Sequence, residues 1–301
     1  RHLDRIPRHA AVNEAVELAK GVSRKSAGFV NAVLRKAADL ELPNTVGIRT
    51  SHPDWLVERW RAAFHRGRDF KAVLEADNAI LPVTARINRL KVPKGPEMIE
   101  PEGDPAGDER FLKGEFTIQD ATSMKVAPWL APKSNERVLD LCAAPGGKTT
   151  HLAELMGGKG LVVAVDLPSR LPLVAEAARR LGLANIECVA GDGATITFRK
   201  PFDAVLVDAP CSNTGVLARR PDVRWRLREA DIAGAVVIQR RLLENAVRLL
   251  RPGGRLVYST CSLEPEENRI DVPGLKLVRE ELTLPTDKHS GGYQAAAISE
   301  R

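Results

Sequence analysis

The chain has 301 residues and a net charge of +6, with 44% hydrophobic and 28% charged residues. This composition is that of a folded soluble protein and excludes an intrinsically disordered chain, and no apolar run reaches the roughly 18–20 residues that a membrane-spanning helix needs. Four cysteines without a CxxC pair exclude a disulfide scaffold and a zinc ribbon. We therefore expect reduced thiols, a cytoplasmic location and no metal site.

Two amphipathic helices are predicted over residues 9–40. Apolar residues recur there at the spacing of a helix face, at Val12, Ala15, Val16 and Ala19 and then at Phe29, Val30, Val33 and Leu34. Gly21 and Ser23 lie between the two runs and predict the connection between the helices. The chain opens at Arg1 inside this pattern without an initiator methionine, so we expect it to be part of a longer protein.

A second region is predicted between residues 46 and 125. Its first element is a helix that opens at His52-Pro53-Asp54, with the proline near the first turn. A short strand over Val83–Ile87 follows, and the stretch Pro93–Gly107, rich in proline, glycine and acidic residues, predicts a loop. These changes of pattern give three expected domains, at 1–45, 46–125 and 126–301.

From about residue 136 onward, strands alternate with helices. Strands are predicted at 137–141, 161–165, 186–190, 202–207 and 255–258, and helices at 172–181 and 229–250, the second ended by Pro252-Gly253-Gly254. Such alternation predicts a mostly parallel α/β sheet covered on both faces. Ligands of these sheets lie beyond the carboxyl ends of the strands, and the residues near those ends are Asp140, Asp166, Asp192, Asp208 and Cys261.

A loop of small residues, Asp140-Leu-Cys-Ala-Ala-Pro-Gly-Gly-Lys148, follows the first of these strands. Small side chains allow a ligand to approach the backbone closely. The run from Cys142 to Thr149 differs from a phosphate-binding P-loop only at its first glycine, so an NTPase is one alternative. Two residues argue against it, because Cys142 replaces the glycine of the tight turn and Pro145 has no N–H to offer to phosphate.

Two acidic residues end the next two strands. Asp166 stands where a carboxylate commonly accepts hydrogen bonds from ribose hydroxyls, and a solvated turn residue is the alternative. Asp192 lies between two glycines, which is common in turns, but its place in the alternation would also suit contact with an adenine amino group.

Two cysteines follow neighbouring predicted strands, in Asp208-Ala-Pro-Cys211 and in Ser259-Thr-Cys261-Ser. Either cysteine alone is more often core filler, but two in polar turns at adjacent strand ends indicate a reactive site. A thiol attacks as the thiolate, which needs an electropositive setting. A basic cluster is interpreted as the source of that setting or as a contact for RNA phosphates and bases, with a solvated surface as the alternative; its members are Arg219, Arg220, Arg224, Trp225, Arg226 and Arg228.

These motifs, in this order, resemble those of the RNA 5-methylcytosine methyltransferases, and most closely the bacterial Sun/RsmB type, which modifies small-subunit ribosomal RNA. The resemblance is nearly continuous over residues 116–261, and residues 6–36 resemble the end of a NusB-like helical RNA-binding domain. It implies a Rossmann-like S-adenosylmethionine-dependent methyltransferase core at 126–301. It also implies a helical NusB-like piece at 1–45 and a small α+β linking domain at 46–125, both contacting RNA.

The resemblance also implies roles for site residues. Asp166 would hold the ribose of S-adenosyl-L-methionine and Asp192 its adenine, and Asp208 would lie between this cofactor and the target cytosine. Cys261 would be the nucleophile, and Cys211 would assist release of the product. The segment that would wrap the methionine and ribose comprises Cys142, Ala143, Ala144, Pro145, Gly146, Gly147 and Lys148.

The implied chemistry explains why two thiols and a carboxylate are needed. Addition of the Cys261 thiolate to carbon 6 of cytosine activates carbon 5 for methylation, and Asp208 stabilises the adduct near ring nitrogen N3. The base must first be unstacked, so we expect a single-stranded or opened segment of 16S ribosomal RNA as the partner of a monomeric enzyme. A non-catalytic RNA-binding protein with this fold is the remaining alternative, although the intact thiols argue against it. Beyond Asn268 the chain is shorter than the family pattern, so the resemblance does not extend to its last strands.

Overall fold

The computed structural model describes residues 6–37, 44–64 and 70–301, and the chain divides into two compact units, Arg1–Arg49 and Thr50–Arg301. In the first unit, helices α1 (Arg8–Val22) and α2 (Ala27–Ala37) pack against each other. Both predicted helices are confirmed within these bounds, and residues 38–40 of the predicted span lie outside the described residues. Gly21 belongs to α1 rather than to the connection, because the backbone turns extended only at Ser23.

Three short helices follow along the chain, α3 (Val46–Thr50), α4 (Asp54–Ala63) and α5 (Phe70–Ala76). Helix α4 begins directly after Pro53, as the sequence predicted. Its buried face is formed by Leu56, Val57 and Trp60, which recur at helical spacing.

A small antiparallel sheet comes next, with the order β2-β1-β3 and the strands β1 (Ala85–Ile87), β2 (Met98–Ile99) and β3 (Phe116–Ile118). Strand β1 lies within the predicted strand. Strand β2 lies within the stretch predicted as a loop, so that prediction was wrong at this point. Two residues are too few for a periodic pattern, and β2 exists because Met98 and Ile99 pair with β1. Helix α6 (Glu109–Leu112) leads into β3.

The centre of the second unit is a seven-stranded sheet with the order β6-β5-β4-β7-β8-β10-β9. Its strands are β4 (Arg137–Leu141), β5 (Leu161–Asp166), β6 (Ile186–Ala190), β7 (Phe202–Asp208), β8 (Leu250–Thr260), β9 (Leu275–Thr283) and β10 (Gly292–Ser299). Strands β4 to β8 are parallel, and β10 is antiparallel to both of its neighbours. The predicted Rossmann-like α/β fold is confirmed.

Helices cover the sheet: α7 (Ala121–Met124), α8 (Val126–Leu130), α9 (Gly147–Leu155), α10 (Leu171–Leu181), α11 (Val223–Arg226) and α12 (Glu229–Leu249). One apolar core joins the sheet to α12 and another joins it to α8 and α9. The central strands read as continuous apolar runs because both of their faces are buried. None of the helices in the described ranges has the length and apolar character to cross a membrane.

The chain order reverses between β4 and β7, because β5 and β6 lie on one side of β4 and β7 and β8 lie on the other. A crevice forms at such a reversal, outside the carboxyl ends of the strands. The fold therefore directs the loops after β4, β5, β6, β7 and β8 toward one edge of the sheet.

The C-terminal part of the sheet differs from the prediction. The long helix ends at Leu249, and β8 begins at Leu250, so Pro252-Gly253-Gly254 lies inside the strand span rather than terminating the helix. The pairing of β8 with β7 shifts register at this point, which accommodates the proline and glycines. Strands β9 and β10, which the sequence did not predict, complete the sheet.

A buried ion pair connects the small sheet to the large one. Arg86 on β1 is 4% exposed and pairs with Glu154 on α9. The guanidinium also donates to Gln119 Oε1 at 2.7 Å and to Thr150 Oγ1 at 3.1 Å. Burial raises the pKa of Glu154 to about 7 despite the charge of Arg86. The pair thus fixes β1 against the helix that follows the Asp140–Lys148 loop.

Replacing Arg86 by methionine is expected to lower the free energy of unfolding by about 3–5 kcal/mol, because Glu154 stays buried without its partner. The double variant Arg86→Met/Glu154→Met removes both charges and should recover part of this loss. Urea denaturation followed by circular dichroism measures both effects. Equal stabilities of the single and double variants would show that the unpaired, buried Glu154 is not the cause of the loss.

Candidate active site

A cleft of about 640 Å³ lies at the carboxyl ends of the central strands. This volume is within the range of small-molecule sites. Nine of the twelve predicted site residues line it, namely Cys142, Ala144, Pro145, Lys148, Asp166, Asp192, Asp208, Cys211 and Cys261. Residues from five different loops therefore meet as predicted from the strand order.

The other three predicted residues shape the loop from behind the cleft. Ala143 packs into a small core with Ala164 and Val174. Gly146 precedes α9 with a φ of +105°, which a residue with a side chain rarely adopts, and Gly147 is the first residue of the helix. The backbone path of the loop thus requires Gly146, and packing against Ala164 and Val174 favours a small residue at Ala143.

Asp166 holds the loop against the end of β5. Its Oδ2 accepts the N–H of Ala144 at 2.8 Å and its Oδ1 accepts the N–H of Leu167 at 2.8 Å. Each carboxylate oxygen can accept a second hydrogen bond, so the residue retains acceptor capacity toward the cleft. Asp192 lies opposite, after β6, with Oδ1 accepting the N–H of Ala194 at 2.9 Å.

The local geometry does not suit a P-loop. Thr149, which would coordinate magnesium in such a loop, is fully buried and donates to Asp140 Oδ2 at 2.6 Å. Asp140 lies within β4 and is also fully buried, and this burial raises its pKa to about 7. In the described part of the chain, no group of three or more His, Cys, Asp or Glu side chains could hold a metal ion.

Asp208 is held by two donors at the end of β7. Lys148 Nζ donates to its Oδ2 at 2.7 Å, and Ser259 Oγ donates to its Oδ1 at 2.8 Å. Burial alone would lower the pKa of Lys148, but the charge of Asp208 and the nearby sulfur of Cys261 outweigh it and raise that pKa. Lys148 therefore stays protonated beside the thiols.

The two predicted thiols are in contact. Cys211 Sγ lies 3.1 Å from Cys261 Sγ, and the Cys261 thiol donates to Asn213 Oδ1 at 3.2 Å. Asn213 adopts a φ of +63° and donates through Nδ2 to the carbonyl of Cys211 at 2.8 Å. The hydrogen bond with Cys261, together with burial, raises the pKa of Cys211 well above its ordinary value, so Cys211 keeps its proton.

The remaining two cysteines lack these features. Burial, followed by the charges of neighbouring carboxylates, raises the pKa of Cys142, which makes it a poor nucleophile. Cys188 lies exposed on β6. Of the four cysteines, only Cys211 and Cys261 combine mutual contact with access to the cleft and to Lys148.

The members of the basic cluster have different surroundings, and two of them, Arg219 and Arg220, line the cleft that also contains the two thiols. Arg224 is 2% exposed and donates to backbone carbonyls, among them Asp77 at 2.8 Å and Ser51 at 3.0 Å, so it anchors α11. Arg219 binds Asp120 at 3.0 Å. Arg220 lines the cleft, and Trp225 is 63% exposed.

The other two members of the cluster, Arg226 and Arg228, pair with Asp222 and Asp231 on the surface. Among the cations that line the cleft, Lys148 is the one that hydrogen-bonds Asp208. From the sequence, Lys148 is assigned to the cofactor alone, and Asn213 and Ser259 receive no role. Their positions near Cys211 and Cys261 in the same motifs are the only sequence feature that points to a role in the site.

The cleft is lined by a protonated lysine, two thiols and three carboxylates, one of which, Asp208, is fixed by two hydrogen bonds. Such a set can position a cationic cofactor and can support covalent attack by sulfur on an electrophilic carbon.

Comparison with known proteins identifies the family. Residues 127–298 match the 16S rRNA methyltransferase RsmB/F family, residues 1–39 match the NusB family, and residues 52–95 match the ferredoxin-like domain of RsmF/B-like methyltransferases. The chain is 40% identical to a probable ribosomal RNA small subunit methyltransferase B of Bacillus subtilis, over 89% of this chain and 67% of that one.

Two solved structures are also similar. One is a methyltransferase homolog protein from Pyrococcus horikoshii, with 28% identity and a TM-score of 0.74 over 86% of this chain and 100% of that one. The other is NSun6 from Pyrococcus horikoshii with SFG, with 33% identity and a TM-score of 0.62 over 68% of this chain and 58% of that one.

Replacing Lys148 by methionine should slow alkylation of Cys261 by iodoacetamide about tenfold, because the charge of Asp208 then faces the sulfur without compensation. Peptide mass spectrometry of quenched samples measures the rate at each cysteine. Lys159→Met, a change at an exposed lysine beyond α9, serves as the control. Unchanged alkylation in Lys148→Met would show that Lys148 does not influence the thiols.

Proposed function

The chain belongs to the RsmB/F family of 16S rRNA methyltransferases, and from this membership we propose that it methylates carbon 5 of a cytosine in 16S ribosomal RNA through a covalent cysteine adduct. The observation that carries the proposal is the contact between the two thiols, 3.1 Å apart, beside Asp208. Methylation of an exocyclic amine or a ribose hydroxyl needs no sulfur nucleophile, whereas carbon 5 of cytosine must first be activated.

The cleft suits S-adenosylmethionine in size and in charge. We assign Asp166 to the ribose hydroxyls, Asp192 to the adenine amino group, and the loop 142–148 to the methionine part, as the family resemblance implies. The carboxylates of the cleft complement the positive charges of this cofactor. When bound, it supplies an electrophilic methyl group on a sulfonium.

In the first step, the thiolate of Cys261 attacks carbon 6 of the cytosine and forms a C–S bond. Electron density then moves toward carbon 5 and ring nitrogen N3, and the proton that the Cys261 thiol gave up passes through Asp208 to N3. Asp208, fixed by Lys148 and Ser259, accepts the hydrogen bond of that N3–H. Because both of its oxygens are already held, Asp208 needs little reorganisation to do so.

After methylation, the adduct must lose the carbon-5 proton and the C–S bond must break. Cys211 retains its proton in contact with the sulfur of Cys261. We assign to Cys211 the transfer of that proton to the departing sulfur and the acceptance of the carbon-5 proton in exchange. N3 returns its proton through Asp208 to solvent, so both thiols are restored and neutral 5-methylcytosine is released.

Transfer of labelled methyl groups to 16S ribosomal RNA tests the function directly. Cys261→Ala should lose at least about a thousandfold in rate and should form no adduct with RNA that contains 5-fluorocytosine. Cys211→Ala should attack normally, so its covalent adduct should accumulate on ordinary RNA and be visible by denaturing electrophoresis.

Cys188→Ala, which alters the exposed cysteine on β6, should match the wild type in both assays. Full activity in Cys261→Ala would refute the nucleophile assignment. Binding of RNA without any methyl transfer by the wild type would favour a non-catalytic RNA-binding protein.

An RNA-contacting face is proposed beside the cleft. Arg220 lines the cleft, and Trp225, only a few residues along the chain, exposes most of its indole on a helix anchored by Arg224. An exposed indole next to arginine is suited to stack on an unpaired base while phosphates are neutralised nearby. We also propose RNA contacts for the NusB-like piece, 1–45, and for the linking domain, 46–125.

Trp225→Ala should raise the KM for RNA about tenfold with little change in kcat, because one base–aromatic stack contributes about 1–3 kcal/mol. Trp225→Phe should retain most of the affinity. Steady-state methylation at varied RNA concentration measures both, with Leu277→Ala on the edge strand β9 as an exposed apolar control. An unchanged KM in Trp225→Ala would remove Trp225 from the RNA face.

A further inference from the structure

The turns that carry the two thiols contact each other through a second pair of side chains besides the cysteines. Each cysteine is followed by a buried serine, Ser212 and Ser262, and the two hydroxyl oxygens lie 3.0 Å apart. The same two turns are therefore joined twice, by this contact and by the 3.1 Å contact between the sulfurs of Cys211 and Cys261. The relative position of the sulfurs therefore depends on what holds these two turns.

Glu267 and Gln239 hold the Cys211 turn on both sides of the cysteine. Ser212 donates its N–H to Glu267 Oε1 at 2.9 Å and its hydroxyl to Glu267 Oε2 at 2.6 Å. Gln239 Nε2 donates to the carbonyl of Pro210 at 3.0 Å and reaches Glu267 Oε1 at 3.4 Å. The backbone on either side of Cys211 is thus tied to one buried carboxylate.

Asn268, the next residue, holds the Cys261 turn in the same manner. Thr260 Oγ1 donates to Asn268 Oδ1 at 2.6 Å, and Asn268 Nδ2 donates to the carbonyl of Ser262 at 2.9 Å. Thr260 and Ser262 are the two neighbours of Cys261 along the chain. Two consecutive residues thus bind the turns of different thiols, Glu267 that of Cys211 and Asn268 that of Cys261.

We propose that Glu267 and Asn268 are positioning residues that set the two sulfurs in register, Glu267 through the Cys211 turn and Asn268 through the Cys261 turn. The inference rests on the proposed two-thiol reaction and assigns a separate step to each residue. Glu267 acts on product release, which needs Cys211, and Asn268 acts on attack, which needs Cys261.

The setting of Glu267 supports a geometric role. The residue is 1% exposed, and among the described residues no cation pairs with it. Burial raises its pKa, while the hydrogen bonds from Ser212 and Ser262 oppose that shift. Tyr258 fixes its backbone by donating to the Glu267 carbonyl at 2.7 Å. A carboxylate that is buried among neutral donors costs stability, and its side chain contacts Ser212 in the turn of Cys211 and Ser262 in the turn of Cys261.

Two isosteric substitutions test the proposal on the full chain. Glu267→Gln replaces an acceptor oxygen by an NH₂ group opposite the donors of Ser212, and Asn268→Asp removes the donor to the Ser262 carbonyl. Both should lower kcat about tenfold and leave the KM values for RNA and for S-adenosylmethionine within about twofold of the wild type. Glu266→Gln is the matched control, because Glu266 is exposed and pairs with Arg59 outside this network.

The adduct assay separates the two residues. Glu267→Gln should accumulate the covalent adduct on ordinary RNA. Asn268→Asp should accumulate none and should form the 5-fluorocytosine adduct more slowly. Identical behaviour of the two variants, or a loss of activity that only follows the folded fraction measured by circular dichroism, would overturn the proposal. If Glu267→Gln does not fold, Ser212→Ala decides the same question, since it removes one hydroxyl and should accumulate adduct.

Cys211→Ala is measured in parallel, so that a failure of the release role of Cys211 can be distinguished from a failure of the positioning role of Glu267. If its adduct fails to accumulate, the release role of Cys211 in the proposed function is wrong, and the role of Glu267 falls with it. If that adduct accumulates while Glu267→Gln turns over like the wild type, the positioning role alone is wrong.

Discussion

The register between β7 and β8 is the constraint on which the site depends. Asp208, the last residue of β7, pairs with Ser259 near the end of β8, and the two strands run parallel. Cys211 follows that pair by three residues and Cys261 by two, so both turns emerge at the same edge of the sheet. A slip of one residue would turn the side chains of the slipped strand to the opposite face and would separate Asp208 and Cys211 from Cys261.

Burial and the charges of neighbouring groups determine which side chains at the ends of β7 and β8 are expected to be reactive. Lys148 comes from the first turn of α9, and its ammonium neutralises Asp208 within hydrogen-bond distance. Cys142 lies in the same cleft, but burial and the surrounding carboxylates disfavour its thiolate. Chemically identical side chains are therefore expected to differ in reactivity according to how deeply each is buried and which charges it faces.

The sequence predicted the parallel strands well, because strands such as β5 and β7 are mostly apolar runs with nearly all residues buried. It did not predict β9, whose residues are mostly exposed and include Glu280, Glu281 and Arg279, as is usual for an edge strand. It also could not distinguish the arginines, since Arg224 is buried by carbonyl groups of residues more than 140 positions earlier in the chain. Local sequence patterns do not predict the role of a residue when that role depends on contacts with residues far away in the chain.

Glu267 shows the same limit at the site itself. In the sequence it is one of three glutamates within four residues, and nothing in its spacing distinguishes it from Glu264 or Glu266. In the fold, Glu264 is buried against Arg59 and Trp60, Glu266 is half exposed, and Glu267 receives both donors of Ser212. Replacing a buried polar group together with its hydrogen-bond partners by apolar groups of similar shape is often neutral or stabilising. The position of Glu267 between the two thiol turns is therefore better explained by the geometry it imposes than by stability.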